Sequence, residues 1–142
     1  MRIGGSITQP TSTSLGQSWV RIVLVLDKQA NGALATPSDV FETTAAATTD
    51  IFAFQNMDNV DRFKIIKDKK ITLDPVGFGI VGTSSAICTK NFKISHKCNT
   101  EIVYSSTTGA LTEVRSNNYI LFISSNSNAV TFAGKSRVYW KE

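Results

Sequence analysis

His96, the single histidine of the chain, stands two residues from Cys98, and a thiol beside an imidazole is the pairing from which a cysteine nucleophile is made. On an extended strand the two backbones lie about 7 Å apart, outside hydrogen-bond reach, and no third group is placed to orient the ring. The pair reads as packed strand residues, and no set of converging groups marks the chain as an enzyme. Asn56-Met-Asp58-Asn59-Val-Asp61 offers oxygens to a calcium ion but lacks the glycine and the distal glutamate of a dedicated loop, so it reads as a capped, solvated turn. Gly77-Phe-Gly79 continues into Ile80-Val-Gly82 without the Lys-Ser/Thr that would hold nucleotide phosphate and magnesium, and marks a flexible loop instead. Cys88 and Cys98 are too few for a disulfide scaffold or a zinc cage and read as reduced thiols. The sequence predicts no catalytic residue, no metal ligand and no cofactor.

Positive charge is the chemistry the sequence does concentrate. Arg62, Lys64, Lys67, Lys69 and Lys70 form one local group, Lys90, Lys93 and Lys97 another, and Arg2 stands near the start. Such groups can contact phosphates without reading bases, or they can solvate and protect sheet edges. The formal net charge of +4 favours an anionic partner without deciding between the two. Trp19, Tyr139 and Trp140 fit a core or a subunit contact better than a base-stacking platform, which would need repeated, interleaved aromatics.

The elements that position these groups read as strands. A chain of 142 residues suits one domain, and 42% hydrophobic with 18% charged residues excludes a disordered chain while leaving a weakly charged surface that suits contact with neighbours. Residues 1–18 read as an irregular N-terminal segment with at most one short strand around Ile3 to Ile7, and 19–142 as the folded domain. Trp19 to Leu26 is dense in aliphatic residues, as in a central strand buried on both faces. Asn31-Gly32 predicts a turn with positive φ, and Thr36-Pro37-Ser38-Asp39 a capped helix of at most two turns, with Thr43 to Asp50 either prolonging it or forming a loop. Phe63, Ile65, Ile71 and Leu73 share one strand parity that Lys67 and Lys69 interrupt, which predicts a bulge or a strand end between them. Phe92, Ile94, His96 and Cys98 alternate with Lys93, Ser95 and Lys97, a half-buried strand with one basic face. Glu101 to Ser106, Tyr119 to Ser124, Val130 to Phe132 and Arg137 to Trp140 supply further short strands. The expected fold is all-β: a single jelly-roll β-sandwich with one short helix after the first strong strand. The longest aliphatic run, Ile22 to Leu26, is too short to span a bilayer, and the opening residues lack a signal-peptide core, so an intracellular, soluble product with no membrane insertion is expected.

Several phrases resemble one family. Arg2-Ile3-Gly4 resembles its Arg-Ile-Gly phrase, VRIVLVLDKQANG from Val20 to Gly32 its strand ending in an Asp-Lys-Gln-x-Asn-Gly turn, and Pro37 to Phe41 the helix that follows. Arg62 to Leu73, RFKIIKDKKITL, resembles its "Arg-Phe, aliphatic, Lys-Asp" strand, and Asn118 to Ser125 with Ser136 to Glu142 its closing strands. These belong to the capsid proteins of circular, Rep-encoding single-stranded DNA viruses, more distantly those of geminiviruses and plant satellite viruses. The long Arg/Lys-rich arm with which such proteins open has no counterpart before Val20 beyond Arg2. The resemblance implies a jelly roll over 19–142 whose copies close into a small icosahedral (T=1) shell around viral single-stranded DNA. It implies a homo-oligomer of the virion, assembled in the host cell nucleus, with outer loops available to a host surface receptor. Arg2, Arg62, Lys64, Lys67, Lys69, Lys70, Lys90, Lys93 and Lys97 would be the DNA-contacting residues. The alternative is a stand-alone jelly-roll binding module, a lectin or receptor-binding domain.

Overall fold

The computed structural model describes residues 1–9, 18–42, 51–74, 88–126 and 130–139. Its strands, among those residues, are β1 (Arg2–Gln9), β2 (Ser18–Asp27), β3 (Phe63–Leu73), β4 (Cys88–Ser95), β5 (Val103–Tyr104), β6 (Val114–Ser116), β7 (Asn118–Ser125) and β8 (Thr131–Arg137), with one helix, α1 (Pro37–Val40), after β2. They form two three-stranded sheets, β4-β1-β8 and β3-β2-β7, and a two-stranded β5-β6 ladder. The chain is therefore all-β with one short helix after its strongest strand. It divides into two units: Met1–Val20 with Lys70–Cys98 and Ser125–Glu142, and Arg21–Lys69 with Asn99–Ser124. β1 thus falls in one unit with segments late in the chain.

In the first unit β1 is the middle strand, antiparallel to both β4 and β8. The opening segment thus holds an eight-residue strand, longer than its Ser, Thr and Gly content suggested. Its alternation sends Ile3 and Ile7 to one face, where they are buried together with Phe92 and Ile94 of β4. Gly5 lies on that same face, where a Cβ would collide with the Ala133 carbonyl oxygen of β8. Across the ladder from it, Gly134 leaves room for the Phe132 ring, which sits 5.8 Å from that of Phe92. The two glycines let β8 lie close to β1 and an aromatic side chain fold over the pair.

In the second unit Val23 and Val25 of β2 join Ala35, Val40, Phe41, Ala53, Phe63 and Ile120 in one hydrophobic cluster. The opposite parity of β2, Ile22 and Leu24, is buried as well, as its unbroken aliphatic pattern predicts. The turn after β2 holds Asn31 at φ 49° and Gly32 at φ 77°, and Gly32 is pressed so near the Thr112 carbonyl oxygen that a Cβ would lie 2.5 Å from it. Helix α1 is a single turn: Pro37 opens it, and the Asp39 carboxylate accepts from both the backbone N–H and the hydroxyl of Thr36 at 2.7 Å. Asn56 and Asn59 are spent locally, Asn56 Oδ1 accepting from the Asp58 N–H and the Asn59 amide donating to the Asp39 carbonyl. The Asn56 oxygen considered for calcium thus serves the turn, and the Asn59 amide ties the turn to α1.

Several boundaries differ from the sequence reading. β3 runs unbroken through Lys67 and Lys69, exposed from Lys67 to Lys70 and buried again at Ile71 and Leu73, so no strand end lies there. β4 begins at Cys88 and stops at Ser95, which leaves His96, Lys97 and Cys98 beyond the strand rather than on its faces. The strands expected at Val130 to Phe132 and Arg137 to Trp140 are instead the single strand β8, ending at Arg137. Regular strand within Glu101 to Ser106 is confined to Val103–Tyr104. Thr43 to Asp50, Gly77 to Gly82 and Trp140 lie outside the described residues.

Candidate nucleic-acid interface

A three-stranded sheet has two faces, and one face of β4-β1-β8 carries the buried Ile3, Ile7, Phe92 and Ile94. The other is set by the even parity of β1, since residues opposite one another in register share a face. Register places Arg2 opposite Ser95 and Arg137, Gly4 opposite Lys93 and Lys135, Ser6 opposite Asn91 and Ala133, and Thr8 opposite Thr89 and Thr131. Arg2, Lys93, Lys135 and Arg137 therefore stand on one face among hydroxyl and amide side chains, and all four are exposed. No Asp or Glu occurs in any of the three strands. Among the described residues the face is cationic and hydrogen-bonding, with no carboxylate in its own strands.

Its middle is low. Gly4 contributes no side chain, and a Cβ there would meet nothing nearer than the Phe92 carbonyl oxygen at 3.7 Å. An open depression lies over this part of the sheet, lined by Gly4, Gly5, Asn91, Ala133, Gly134 and Lys135. Lys93 and Lys135 flank Gly4 one strand away on each side, which puts their backbones about 10 Å apart. At the upper end of the face Arg2 and Arg137 both approach the ring of Tyr139, their guanidinium carbons 5.6 Å and 5.8 Å from its centroid. Two like charges directly opposite across a ladder repel, so this pair is held in place by the sheet and the ring, not by mutual attraction. β1 is tied down beyond Arg2 too, with the His96 N–H donating to the Met1 carbonyl at 3.0 Å.

Of the basic residues singled out from the sequence, the fold brings Arg2 and Lys93 together here. Lys90 has the parity of Phe92 and Ile94 and belongs to the opposite face, and Lys97 lies past the end of β4. Lys64, Lys67, Lys69 and Lys70 are exposed on β3, a strand of the other three-stranded sheet. Arg62 has a structural task. Its Nε and Nη2 donate to the two carboxylate oxygens of fully buried Asp27 at 3.0 Å and 2.8 Å, and its guanidinium lies over the Phe63 ring at 4.7 Å. Hydrogen bonding to Asp27 raises the pKa of Arg62 above its already high ordinary value. This is a paired, oriented guanidinium.

Three basic residues, two on this face and one in the core, are not marked by the sequence reading. Lys135 and Arg137 alternate with Ser136, the same parity signal that marked Lys93, but the signal was obscured by dividing β8 into two strands. Arg21 was hidden inside an aliphatic run. It is buried, its Nη2 2.7 Å from Asp68 Oδ2, its Nη1 donating to the Ala53 carbonyl at 2.7 Å, and its guanidinium 4.7 Å from the Phe41 ring centroid. No protein-family model matches the chain, and no curated protein matches it.

Proposed function

We propose that this chain is a viral coat protein of the kind found in circular, Rep-encoding single-stranded DNA viruses. In this reading it is a jelly roll that self-assembles into a small icosahedral shell around single-stranded DNA. The observation that carries the proposal is the β4-β1-β8 face: four cations, a row of hydroxyls and amides, and no carboxylate. A surface of that composition gathers phosphate through counterion release and needs no base-specific contact, which suits a protein that must enclose an entire genome. Among the described strands β1 pairs with β8 and β2 with β7, two nested pairings of the kind a long hairpin rolled upon itself makes, which supports the jelly roll. Assembly requires only complementary patches repeated by symmetry. Fourteen consecutive exposed residues, 99–112, carry Ile102, Val103, Tyr104 and Leu111 at 38% to 46% exposure, apolar surface of the sort a neighbouring copy would cover.

The test is electron microscopy of the purified protein with the ratio of absorbance at 260 and 280 nm before and after nuclease. Closed shells with protected nucleic acid are the expected result. A monodisperse monomer at every salt and pH tried would overturn the proposal in favour of a stand-alone binding module.

A further inference from the structure

We infer that Arg2, Arg137 and Tyr139 form a clamp for a single phosphate group, the point on the basic face at which one phosphodiester of a single-stranded nucleic acid is fixed. The inference rests on the nucleic-acid reading of that face and goes beyond it by separating an oriented site from a diffuse one. Lys93 and Lys135 are flexible point charges on either side of Gly4 and can follow a backbone that moves. Arg2 and Arg137 are different. They are register partners, so their backbones face each other across one ladder, and both guanidinium groups are gathered at one tyrosine ring. A π face restrains the plane of a guanidinium without consuming its N–H donors. The result is two guanidinium forks, 5.6 Å and 5.8 Å from one ring centroid, on register-paired strands that contain no carboxylate. A tetrahedral phosphate oxyanion between them would accept from both and cancel the repulsion that the empty site carries, with much of the ordering already done. Tyr139 is 56% exposed, so the ring restrains the arginines while the site stays open to a chain lying along the sheet.

The test uses the whole protein with two probes: a fluorescent oligothymidylate of about 12 nucleotides followed by anisotropy, and inorganic phosphate followed by calorimetry at constant ionic strength. Arg2→Lys and Arg137→Lys keep the charge and remove the fork, and Tyr139→Leu removes the ring. Lys93→Ala with Lys135→Ala alters the remainder of the face. All are surface changes, and a thermal melt confirms that each variant is folded. The expected result is that each clamp variant weakens oligonucleotide binding about fivefold or more, although the two lysine variants lose no charge. Phosphate binding should be lost with them and kept in the Lys93/Lys135 double variant. If the wild type binds oligonucleotide and the clamp variants stay within about twofold of it, the clamp is overturned and the basic face stands, since charge alone then accounts for binding. If inorganic phosphate binds through Arg137 while oligonucleotide does not bind at all, the phosphate clamp stands and the nucleic-acid reading falls. Binding of neither probe overturns both.

Discussion

Arg62 and Asp27 form a two-pronged ion pair whose carboxylate is fully buried and whose guanidinium is 30% exposed. The asymmetry decides what each partner is worth. Asp27 closes β2 and also accepts from the Gln29 N–H at 2.9 Å, so its charge is fixed at the start of the turn. Removing Arg62 would leave a carboxylate desolvated and uncompensated, which typically costs about 3 kcal/mol or more. Arg62→Ala should therefore lower stability in urea by about that amount, whereas Asp27→Asn combined with Arg62→Met should cost clearly less than the sum of the two single changes. Additive losses in the double-mutant cycle would show that the two side chains do not depend on each other.

Gly4 and Gly5 are adjacent in sequence and opposite in consequence. A Cβ at Gly5 would run into the Ala133 carbonyl oxygen and come within 2.8 Å of the Gly134 Cα, whereas one at Gly4 would find ordinary contact distance. Gly5→Ala must part β1 from β8 and should cost about 2 kcal/mol. Gly4→Ala should change stability by less than about 0.5 kcal/mol, as exposed-face substitutions do. Thermal denaturation of the two variants distinguishes them, and equal destabilisation would mean that β8 does not lie against β1 as described.

Acid should loosen the start of α1 through Asp39. Its pKa is lowered from 3.8 by the Thr36 hydroxyl first and the Thr36 N–H second, against a smaller opposing effect of burial. A group depressed in the folded state contributes stability above its unfolded pKa and loses it as pH falls through the folded one. Wild type should therefore be more stable than Asp39→Asn at pH 6, and the gap should narrow below about pH 4. Glu113 is depressed too, by hydrogen bonds from Ser106 and Thr108, but it is present in both proteins and cancels in the comparison. A gap that stays constant down to pH 2.5 would mean that the Asp39 carboxylate is not held by Thr36.

How much of this was readable in advance follows from which signals are local. β2 announced itself by an unbroken aliphatic run, and the turn at Asn31-Gly32 and the cap at Thr36-Pro37 by residues whose backbone preferences act within four positions. β1 was underestimated because its glycines are explained by β8, more than a hundred residues away, where Gly5 and Ala133 meet. The basic face was half visible for the same reason. Parity within β4 separates Lys93 from Lys90, but only the register of β1 with both its neighbours puts Lys93, Lys135, Arg2 and Arg137 on one side. Arg62 carries the same charge as Arg2 and Lys93, and only the fold shows that it is paired with a buried carboxylate, Asp27.

Salt dependence offers a direct measure of how the four cations act. For a single-stranded ligand, the logarithm of the binding constant should fall with the logarithm of salt at a slope of about −0.7 for each phosphate neutralised. If Arg2 and Arg137 share one phosphate and Lys93 and Lys135 engage one each, the wild-type slope with oligothymidylate should be about −2. Removing the charges of Lys93 and Lys135 should reduce it to about −0.7, while Lys67→Ala with Lys69→Ala on β3 should leave it unchanged. The comparison is informative because all four lysines contribute equally to net charge. A slope that drops by the same amount in both double variants would locate the interface in the overall field of the protein. A drop confined to Lys93 and Lys135 assigns it to the face that β1 organises.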